Sequence, residues 1–322
     1  MSIEQFLEEW RNDSPTVLVH TSGSTGKPKP MQVEKSRMKA SALTTCRFLG
    51  LQEGNTALLC MSLDYIAGKM MVVRALTCGL RLIVVEPTGT PYWEGPVDFA
   101  AMVPLQVWNL LHDEQGRERL RQVRHLIIGG GAIDAALQVQ LKDFPHAVWS
   151  TYGMTETLSH IALRRLSGDK SSDWYTPFEG VSLSLTPEGC LTIEAPAVHE
   201  GRLVTNDIAE LRADGRFRII GRKDNVVCSG GIKIQIEEVE RLLRPHLTIP
   251  YMITRARDER LGQTVVLLME QGDVSSVKTV CRQVLPKYWQ PRHYLLVDRL
   301  PMTETGKPAR AEAARIADAL IV

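Results

Sequence analysis

The sequence predicts an α/β fold, a large α/β domain with an appended antiparallel sheet, followed by a small α+β domain. In the first two thirds of the chain, short apolar segments alternate with stretches of helical periodicity. This alternation is typical of βαβ units and a mostly parallel sheet. After about residue 180, apolar positions instead recur with a period of two, as in antiparallel strands with one solvated face.

The elements of the large domain follow from apolar runs and the residues that flank them. Gly79 is well placed to end a helix over 67–78, and Pro104 is well placed to begin a short helix over 105–112. The other predicted elements are helices over 34–48 and 134–142 and strands at 16–19, 56–62, 82–85, 99–103, 125–128 and 147–151.

The last part of the chain predicts antiparallel strands and then a small domain. Asp214-Gly215 is a hairpin signal between two short apolar runs. We place the domain boundary at the charged segment 221–224, so that 1–221 is the large domain and 222–322 is the small one. The predicted elements are strands at 181–185, 190–195, 208–211, 217–220, 250–254 and 264–269 and helices over 236–243 and 274–285.

Composition and charge argue against several classes of function. The 322 residues carry 38 Lys and Arg against 37 Asp and Glu, so the net charge of +1 gives no basis for general nucleic-acid binding. No apolar run approaches the roughly 18 residues that span a membrane, and the first residues do not resemble a secretory signal. The six cysteines are scattered without a C-x-x-C pair, which argues against zinc and for reduced thiols. We therefore expect a cytoplasmic protein without nucleic-acid or membrane partners.

The strongest local signal is the segment 21–29, Thr-Ser-Gly-Ser-Thr-Gly-Lys-Pro-Lys, directly after the first strand. Small residues allow its backbone N–H groups to turn toward an anion, while its hydroxyls and lysines can bind phosphate oxygens. Its spacing is not that of a Walker A loop, because only two residues separate its two glycines. For this segment alone, a solvated flexible loop remains the alternative.

A second polar segment, Tyr152-Gly153-Met154-Thr155-Glu156, follows the strand at 147–151. It combines an aromatic face, a glycine, a hydroxyl and a carboxylate, and a carboxylate beside phosphates is a suitable Mg²⁺ ligand. From these residues alone, a strand-to-helix turn capped by Thr155 remains the alternative.

Seven motifs in this order make the sequence resemble the adenylate-forming superfamily of acyl-CoA synthetases, non-ribosomal peptide adenylation domains and luciferases. The resemblance runs from about residue 17 to about residue 310. The motifs are 21–29, Gly129-Gly130-Gly131-Ala132, 152–156, Thr205-Asn206-Asp207, 221–224, Ser229-Gly230-Gly231 and 301–307.

The resemblance implies an enzyme that joins a carboxylic acid to coenzyme A, with ATP and Mg²⁺, through an acyl-adenylate. It implies that Thr155 contacts the α-phosphate, that Glu156 holds Mg²⁺, and that Tyr152 stacks on adenine. The other implied nucleotide-binding residues are Thr21, Ser22, Gly23, Ser24, Thr25, Gly26, Lys27 and Lys29 for phosphates, Gly130, Gly131, Ala132 and Gly153 around the adenine, and Asp207 and Arg222 for ribose.

The C-terminal motifs imply a mobile small domain that serves both half-reactions. Lys307 resembles the family's catalytic lysine, which bridges the acid carboxylate and the α-phosphate during adenylation. Asp224 matches the hinge position, and rotation about it would replace Lys307 with the thiol tunnel of Ser229, Gly230 and Gly231.

The sequence departs from the family pattern at two residues and in length. Pro30 stands where the loop usually carries glycine and removes one N–H donor, while Asn206 replaces another glycine but tolerates positive φ. The phosphate loop also begins at residue 21, from which we expect a large domain that is N-terminally shortened relative to the family. We expect this shortening to expose apolar surface that a homodimer would cover.

The segment 62–76 resembles the acid-binding segment of o-succinylbenzoate–CoA ligases of menaquinone synthesis. The implied acid-binding residues are Tyr65, Gly68, Lys69 and Gly129, with Lys69 as partner of the acid's second carboxylate. Three alternatives stay open: a ligase for another aromatic or fatty acid, an adenylation unit that loads a carrier protein, and a non-catalytic nucleotide-binding module.

Overall fold

The computed structural model describes residues 1–20, 30–131, 133, 135–303 and 308–321 and confirms the α/β class. The α-helices are α1 (Ile3–Arg11), α2 (Lys35–Leu49), α3 (Ile66–Cys78), α4 (Pro104–Leu111), α5 (Glu114–Arg121), α6 (Ala135–Leu141), α7 (Ile236–Leu243), α8 (Val274–Val284) and α9 (Arg310–Leu320). The strands are β1 (Thr16–His20), β2 (Pro30–Glu34), β3 (Thr56–Leu59), β4 (Arg81–Val84), β5 (Val97–Met102), β6 (Val123–Ile128), β7 (Ala147–Gly153), β8 (His160–Arg165), β9 (Thr176–Pro177), β10 (Ser182–Leu185), β11 (Cys190–Glu194), β12 (Arg202–Leu211), β13 (Phe217–Arg222), β14 (Val226–Ser229), β15 (Ile232–Gln235), β16 (Tyr251–Asp258), β17 (Gly262–Met269) and β18 (His293–Leu296).

The centre of the N-terminal part is a seven-stranded sheet in the order β4-β3-β5-β6-β7-β8-β9. Strands β4 to β7 pair in parallel, and β8 and β9 continue the sheet antiparallel. Successive residues of β3 and β5 enter opposite cores, with Ala57 and Phe99 in one and Leu58 and Ala100 in the other. Burial on both faces explains why these strands read as continuous apolar runs.

Parallel pairing brings the segments that follow β3, β5, β6 and β7 to one edge of this sheet. In open α/β sheets, this carboxyl edge is where ligands bind. The predicted acid-binding segment follows β3, and the predicted adenine segment follows β6. Tyr152 lies at the end of β7, and Glu156 lies in the loop after it.

A separate two-stranded sheet of β1 and β2 precedes the main sheet, with Leu18 opposite Gln32 and His20 opposite Pro30. Pro30 therefore begins a strand, one of the positions that proline tolerates. The amphipathic helix α1 buries Phe6 in the same core that receives Val17 and Val19 of β1. A capping box between Ser2 and Gln5 fixes the start of α1.

The C-terminal part contains two further sheets. Strands β10, β11, β12 and β13 are hydrogen-bonded in that order, and β15-β14-β17-β16 form a second sheet to which β18 adds beside β17. Helices α7 and α8 bury Val239 and Cys281 in a core with Leu267 of β17. On a second core, α9 buries Ala313 and Ala317.

The contacts within the chain define two compact units. The first comprises Met1–Ser184, Thr192–Leu203 and Leu211–Arg218, and the second comprises Leu185–Leu191, Val204–Glu210 and the chain from Ile219 onward. The long segment of the second unit thus begins close to the boundary expected from the sequence. The assignment of 1–221 and 222–322 as separate domains stays a prediction.

Most predicted elements are present with their ends shifted by at most four residues, but β12 begins six residues before its predicted start at 208. Helix α7 has the predicted bounds, and Gly79 ends α3 with a φ of 66°. Helices α1, α5 and α9 and strands β2, β8, β9, β14, β15 and β18 were not predicted. Helix α5 is a clear case, because its sequence EQGRERLR shows no apolar period and buries only Leu120 beside Gly116. Within the described residues, no helix combines the length and apolarity needed to cross a bilayer.

Candidate active site

The loop that follows β7 holds Thr155 and Glu156 in a short 3-10 turn. Thr155 is buried and Glu156 is exposed. The Thr157 hydroxyl accepts a hydrogen bond from the Met154 N–H (3.0 Å) and donates to the Ser159 carbonyl (2.8 Å), which closes the turn. Leu158 has a φ of 64°, the only positive value among described non-glycine residues. Such strain, held by the surrounding structure, is typical of functional loops.

Two glycines let backbone segments approach closely at this edge of the sheet. A Cβ on Gly153 would collide with the Ser159 carbonyl oxygen and with backbone atoms of His160. A Cβ on Gly129 would collide with the Thr151 hydroxyl, which lies on the neighbouring strand. Gly129 therefore packs closely against β7 near the end of that strand. Gly130 has a φ of 78°, which explains glycine at that position.

Tyr152, the residue expected to stack on adenine, lies in an aromatic cluster. Its ring centroid is 5.1 Å from that of Phe217, edge to face, and 5.9 Å from that of Tyr175. The Tyr175 hydroxyl is 2.8 Å from the Ser150 hydroxyl, which anchors the cluster to β7. The cluster fixes the Tyr152 ring. Its contact with a base stays a prediction.

Arg74 is a buried cation beside the same loop. Its side chain is 2% exposed, and Nη2 donates to the Ser159 hydroxyl at 2.7 Å. The Nε atom has no hydrogen-bond partner among the described residues, and no described carboxylate pairs with the guanidinium. Burial lowers the pKa of Arg74 to about 10. A buried guanidinium without an anion is costly, so the arrangement suits an anionic ligand.

His160 extends this buried polar group. Its Nε2 lies 3.1 Å from the Thr45 hydroxyl, and its Nδ1 lies 3.1 Å from the Ser159 hydroxyl. Burial, with a smaller effect from Arg74, holds the pKa of His160 well below its usual range, so the ring is neutral. Neither Arg74 nor His160 was assigned a role from the sequence. A lone arginine inside the apolar run Met-Met-Val-Val-Arg-Ala-Leu was the available signal for Arg74.

The predicted acid-binding segment, 62–76, follows β3 and contains most of helix α3. Tyr65 is the N-cap of α3 and is 47% exposed, and a Cβ on Gly68 would collide with the Ser62 carbonyl oxygen. Lys69 is buried, and its ammonium donates to the Leu18 carbonyl at 2.7 Å and lies 3.5 Å from Glu9. The structure thus gives Lys69 partners inside the protein. Its contact with a substrate carboxylate stays a prediction.

In the second unit, Arg222 joins the predicted ribose ligand to the predicted hinge. Its Nη1 is 3.3 Å from Asp207 and its Nη2 is 2.9 Å from Asp224. Asn206 also donates to Asp224, at 3.3 Å. Burial alone would lower the pKa of Arg222, but the neighbouring carboxylates Asp224 and Asp207 have the larger combined effect and raise it. The family's ribose and hinge positions therefore form one polar network.

The predicted thiol-tunnel segment is a tight hairpin between β14 and β15. Ser229 pairs with Ile232, and both intervening residues have positive φ, 56° at Gly230 and 84° at Gly231. Two consecutive positive φ values define a type I′ turn, which explains the glycine pair. The Gly230 N–H donates to the Leu261 carbonyl at 2.9 Å.

Several predicted residues lie outside the described residues, namely all of Thr21, Ser22, Gly23, Ser24, Thr25, Gly26, Lys27 and Lys29, together with Ala132 and Lys307. Their roles stay predictions. Among the residues that the structure describes, no three His, Cys, Asp or Glu side chains converge to hold a metal ion.

The chain matches the model of the family of AMP-binding enzymes over residues 4–184. It is 24% identical to a 2-succinylbenzoate–CoA ligase of Bacillus cereus, over 97% of this chain and 72% of that protein. A solved acyl-CoA synthetase (AMP-forming)/AMP-acid ligase II-like protein from Dyadobacter fermentans is 32% identical, with a TM-score of 0.66 over 96% of this chain and 92% of that one.

A lower identity of 21% connects the chain to the o-succinylbenzoate coenzyme A synthetase of Bacillus subtilis, solved with ATP and magnesium. There the TM-score is 0.73 over 92% of this chain and 69% of that one, a likeness of fold. Sheet topology, loop positions and these matches define an adenylate-forming enzyme. The chain belongs to the family of AMP-binding enzymes and is an AMP-forming acid–CoA ligase.

Proposed function

We propose that the chain is an o-succinylbenzoate–CoA ligase of menaquinone biosynthesis. In the first half-reaction, a carboxylate oxygen of the acid attacks the α-phosphorus of ATP, and the bond to pyrophosphate breaks. In the second, the CoA thiolate attacks the acyl carbon, and AMP leaves with the electrons of the C–O bond. The proposal rests on the named relatives and on one observation, the buried Arg74.

Arg74 supports a substrate with two carboxylates. One carboxylate of such an acid reacts at the α-phosphate, and the other remains charged and needs a partner. Arg74 lies on α3, the helix of the acid-binding segment, and touches Ser159 three residues beyond Glu156. Two cations of α3 are therefore candidates, Lys69 and Arg74. We favour Arg74 because Lys69 already has Leu18 and Glu9 as partners.

Glu156 fits the predicted Mg²⁺ site in its chemistry. Mg²⁺ with a nucleotide commonly takes one or two protein carboxylates, phosphate oxygens and water. Glu156 is exposed at the carboxyl edge of the sheet. Its backbone carbonyl lies at hydrogen-bond distance from Nδ1 of His199, 3.2 Å. Bound there with ATP, the ion would neutralise charge on the phosphates. Thr155, next to it, would contact the α-phosphate, and Asp207 would accept the ribose hydroxyls.

The second half-reaction is assigned to the C-terminal residues. Lys307 would bind the reacting carboxylate and the α-phosphate during adenylation. Rotation at Asp224 would then withdraw Lys307 and bring the Ser229-Gly230-Gly231 turn to the acyl group. Asp224 accepts hydrogen bonds from Arg222 and Asn206, and we expect rotation at Asp224 to change these contacts.

The test is acid-dependent formation of AMP from ATP, with Mg²⁺ and CoA, across o-succinylbenzoate, benzoate, phenylacetate and fatty acids. Acyl-CoA formed with o-succinylbenzoate alone is the expected result. Turnover with another acid would assign a different carboxylate ligase. Adenylate trapped by hydroxylamine without CoA-dependent product would favour a carrier-loading adenylation unit, and ATP binding without pyrophosphate exchange would favour a non-catalytic module.

The predicted homodimer is a separate proposal. It is tested by size-exclusion chromatography with light scattering at micromolar protein concentration. A mass near 36 kDa under those conditions would contradict it.

A further inference from the structure

The hairpin of β1 and β2 lacks the support of a larger sheet. It is a two-stranded sheet, and such hairpins are marginal unless other elements hold them. Val17 and Val19 point into the core, whereas Leu18 is 38% exposed. Among the residues that the structure describes, β1 pairs only with β2, so its other edge needs partners for its outward N–H and C=O groups.

Two charged side chains supply those partners at Leu18. Glu9 of α1 accepts the Leu18 N–H at 3.1 Å, and Lys69 of α3 donates to the Leu18 C=O at 2.7 Å. The two side chains are 3.5 Å apart and form an ion pair, with Lys69 3% exposed and Glu9 24% exposed. They satisfy one edge residue as a neighbouring strand would.

We call Glu9, Lys69 and Leu18 the clamp. Its position in the chain connects two segments that are predicted to bind the substrates. Leu18 lies three residues before the predicted phosphate segment 21–29 in the chain, and Lys69 follows Gly68 of the acid-binding segment. Phe6 anchors α1 and lies 5.5 Å below the Lys69 ammonium. One ion pair thus ties the strand that leads to the phosphate segment to the helix that begins at the acid site.

We propose that Glu9 and Lys69 are positioning residues, which fix β1 against α3 and so set the geometry of ATP relative to the acid. This inference rests on the proposed function for its link to ATP. The contact with Leu18 itself does not. The clamp also assigns Lys69 to the backbone of β1 instead of to the substrate's second carboxylate.

The test compares Glu9→Ala and Lys69→Met with Lys35→Met as the matched control. Lys35 also tethers α1, through the carbonyl and side chain of Asn12 at 2.8 Å each, but does not touch Leu18. Two readouts are measured on each full-length variant, amide hydrogen exchange over residues 16–20 and 30–34, and the KM and Kd for ATP beside the KM for the acid.

Both clamp variants are expected to speed exchange of the Leu18 amide and its neighbours about tenfold or more, as local opening becomes easier. Their KM for ATP is expected to rise about tenfold, with less change in kcat or in the KM for the acid, because ATP geometry is what the clamp sets. Lys35→Met should leave all of these values near those of the wild type. The double variant should lose no more than the larger single loss, since both act on one contact.

Three results would overturn the inference. Unchanged exchange, or an equal rise in Lys35→Met, would show that the clamp does not fix β1. Faster exchange with unchanged ATP affinity would leave a contact that stabilises the hairpin without positioning ATP. A rise in the KM for the acid alone in Lys69→Met would assign Lys69 to the substrate. If the wild type bound ATP but turned over no acid, the proposed function would fail, while the ATP affinities of the variants would still test the positioning role of the clamp. If the wild type bound no ATP, the proposed function and the positioning role would both fail.

Discussion

Replacing Arg74 by methionine is expected to stabilise the free protein while weakening its binding of the acid. The substitution removes a guanidinium that is almost wholly buried and has Ser159 as its close polar contact. Methionine is unbranched and can fill the space beside Met71 and Phe99. Opposite signs for stability and binding distinguish a ligand-binding cation from a structural one.

The gain in stability follows from the pKa of Arg74. Burial lowers it to about 10, so folding penalises the charged form at every pH below that value, and the penalty falls as pH rises from there toward the higher pKa of the unfolded chain. The depression corresponds to a penalty of about 3 kcal/mol, of which the lost hydrogen bond to Ser159 offsets about 2 kcal/mol. The net effect is about 1 kcal/mol, or about 2–4 °C in the unfolding midpoint of the first unit.

The loss in binding follows from the charge-assisted hydrogen bonds that a carboxylate would make with the guanidinium. Such a bond contributes about 1.5–3 kcal/mol, which corresponds to a rise of about ten- to hundredfold in the KM for o-succinylbenzoate. The KM for ATP should change little. Benzoate, which lacks the second carboxylate, should show no such rise if it is turned over at all.

The assays are thermal unfolding of the free protein and steady-state kinetics with each acid. Arg74→Lys keeps the charge but loses the planar fork, so its KM should fall between those of the wild type and Arg74→Met. Arg310→Met gives the contrast in stability, because Arg310 pairs with Glu240 at 2.7 Å and its loss should cost about 3–5 kcal/mol. A destabilised Arg74→Met with unchanged KM for the acid would refute the reasoning.

Three further outcomes are expected. Gly153→Ala should lower the free energy of unfolding by about 1–3 kcal/mol and remove most of the activity, because the new Cβ would collide with backbone atoms of Ser159 and His160. A variant as stable and active as the wild type would contradict the described loop. Asp207→Asn should raise the KM for ATP about tenfold or more with little change for the acid, and isothermal titration with ATP would check the loss. The free energy of unfolding should fall as pH drops below about 6.5, by up to about 1.4 kcal/mol per pH unit for one group, because the folded pKa of His160 is depressed and unfolding takes up a proton there. Denaturant titrations from pH 7.5 to pH 5 should show a shallower fall of the unfolding free energy in His160→Gln than in the wild type. Equal slopes in the two proteins would contradict this role of His160.

Local pattern was sufficient where an element's own residues carry the signal. Helix α7 has a clear apolar face of Ile236, Val239 and Leu243 and was predicted with its bounds. Helix α1 also has an amphipathic face, but at nine residues it forms only because Phe6 enters the core of the first unit. Helices whose stability comes from tertiary packing are the ones that sequence periodicity misses.

The candidate site shows the same division. Some glycine positions could be predicted, because Gly130, Gly230 and Gly231 adopt the positive φ values that local turns require. The partner of Lys69 could not be predicted from the sequence, since Leu18, whose carbonyl accepts from Lys69, lies 51 residues away in the chain. Arg74 could not be told from a surface arginine until its contact with Ser159, 85 residues away, was visible.

The sequence by itself determined the α/β class, the order of the motifs and the family, because these depend on local periodicity and on short segments whose chemistry is complete within a few residues. Only the tertiary structure decided which charges are buried and what they contact. Burial and pairing are properties of residues brought together across the fold, and Lys69 and Arg74, five residues apart on one helix, acquire a backbone carbonyl and a hydroxyl group as their partners for that reason.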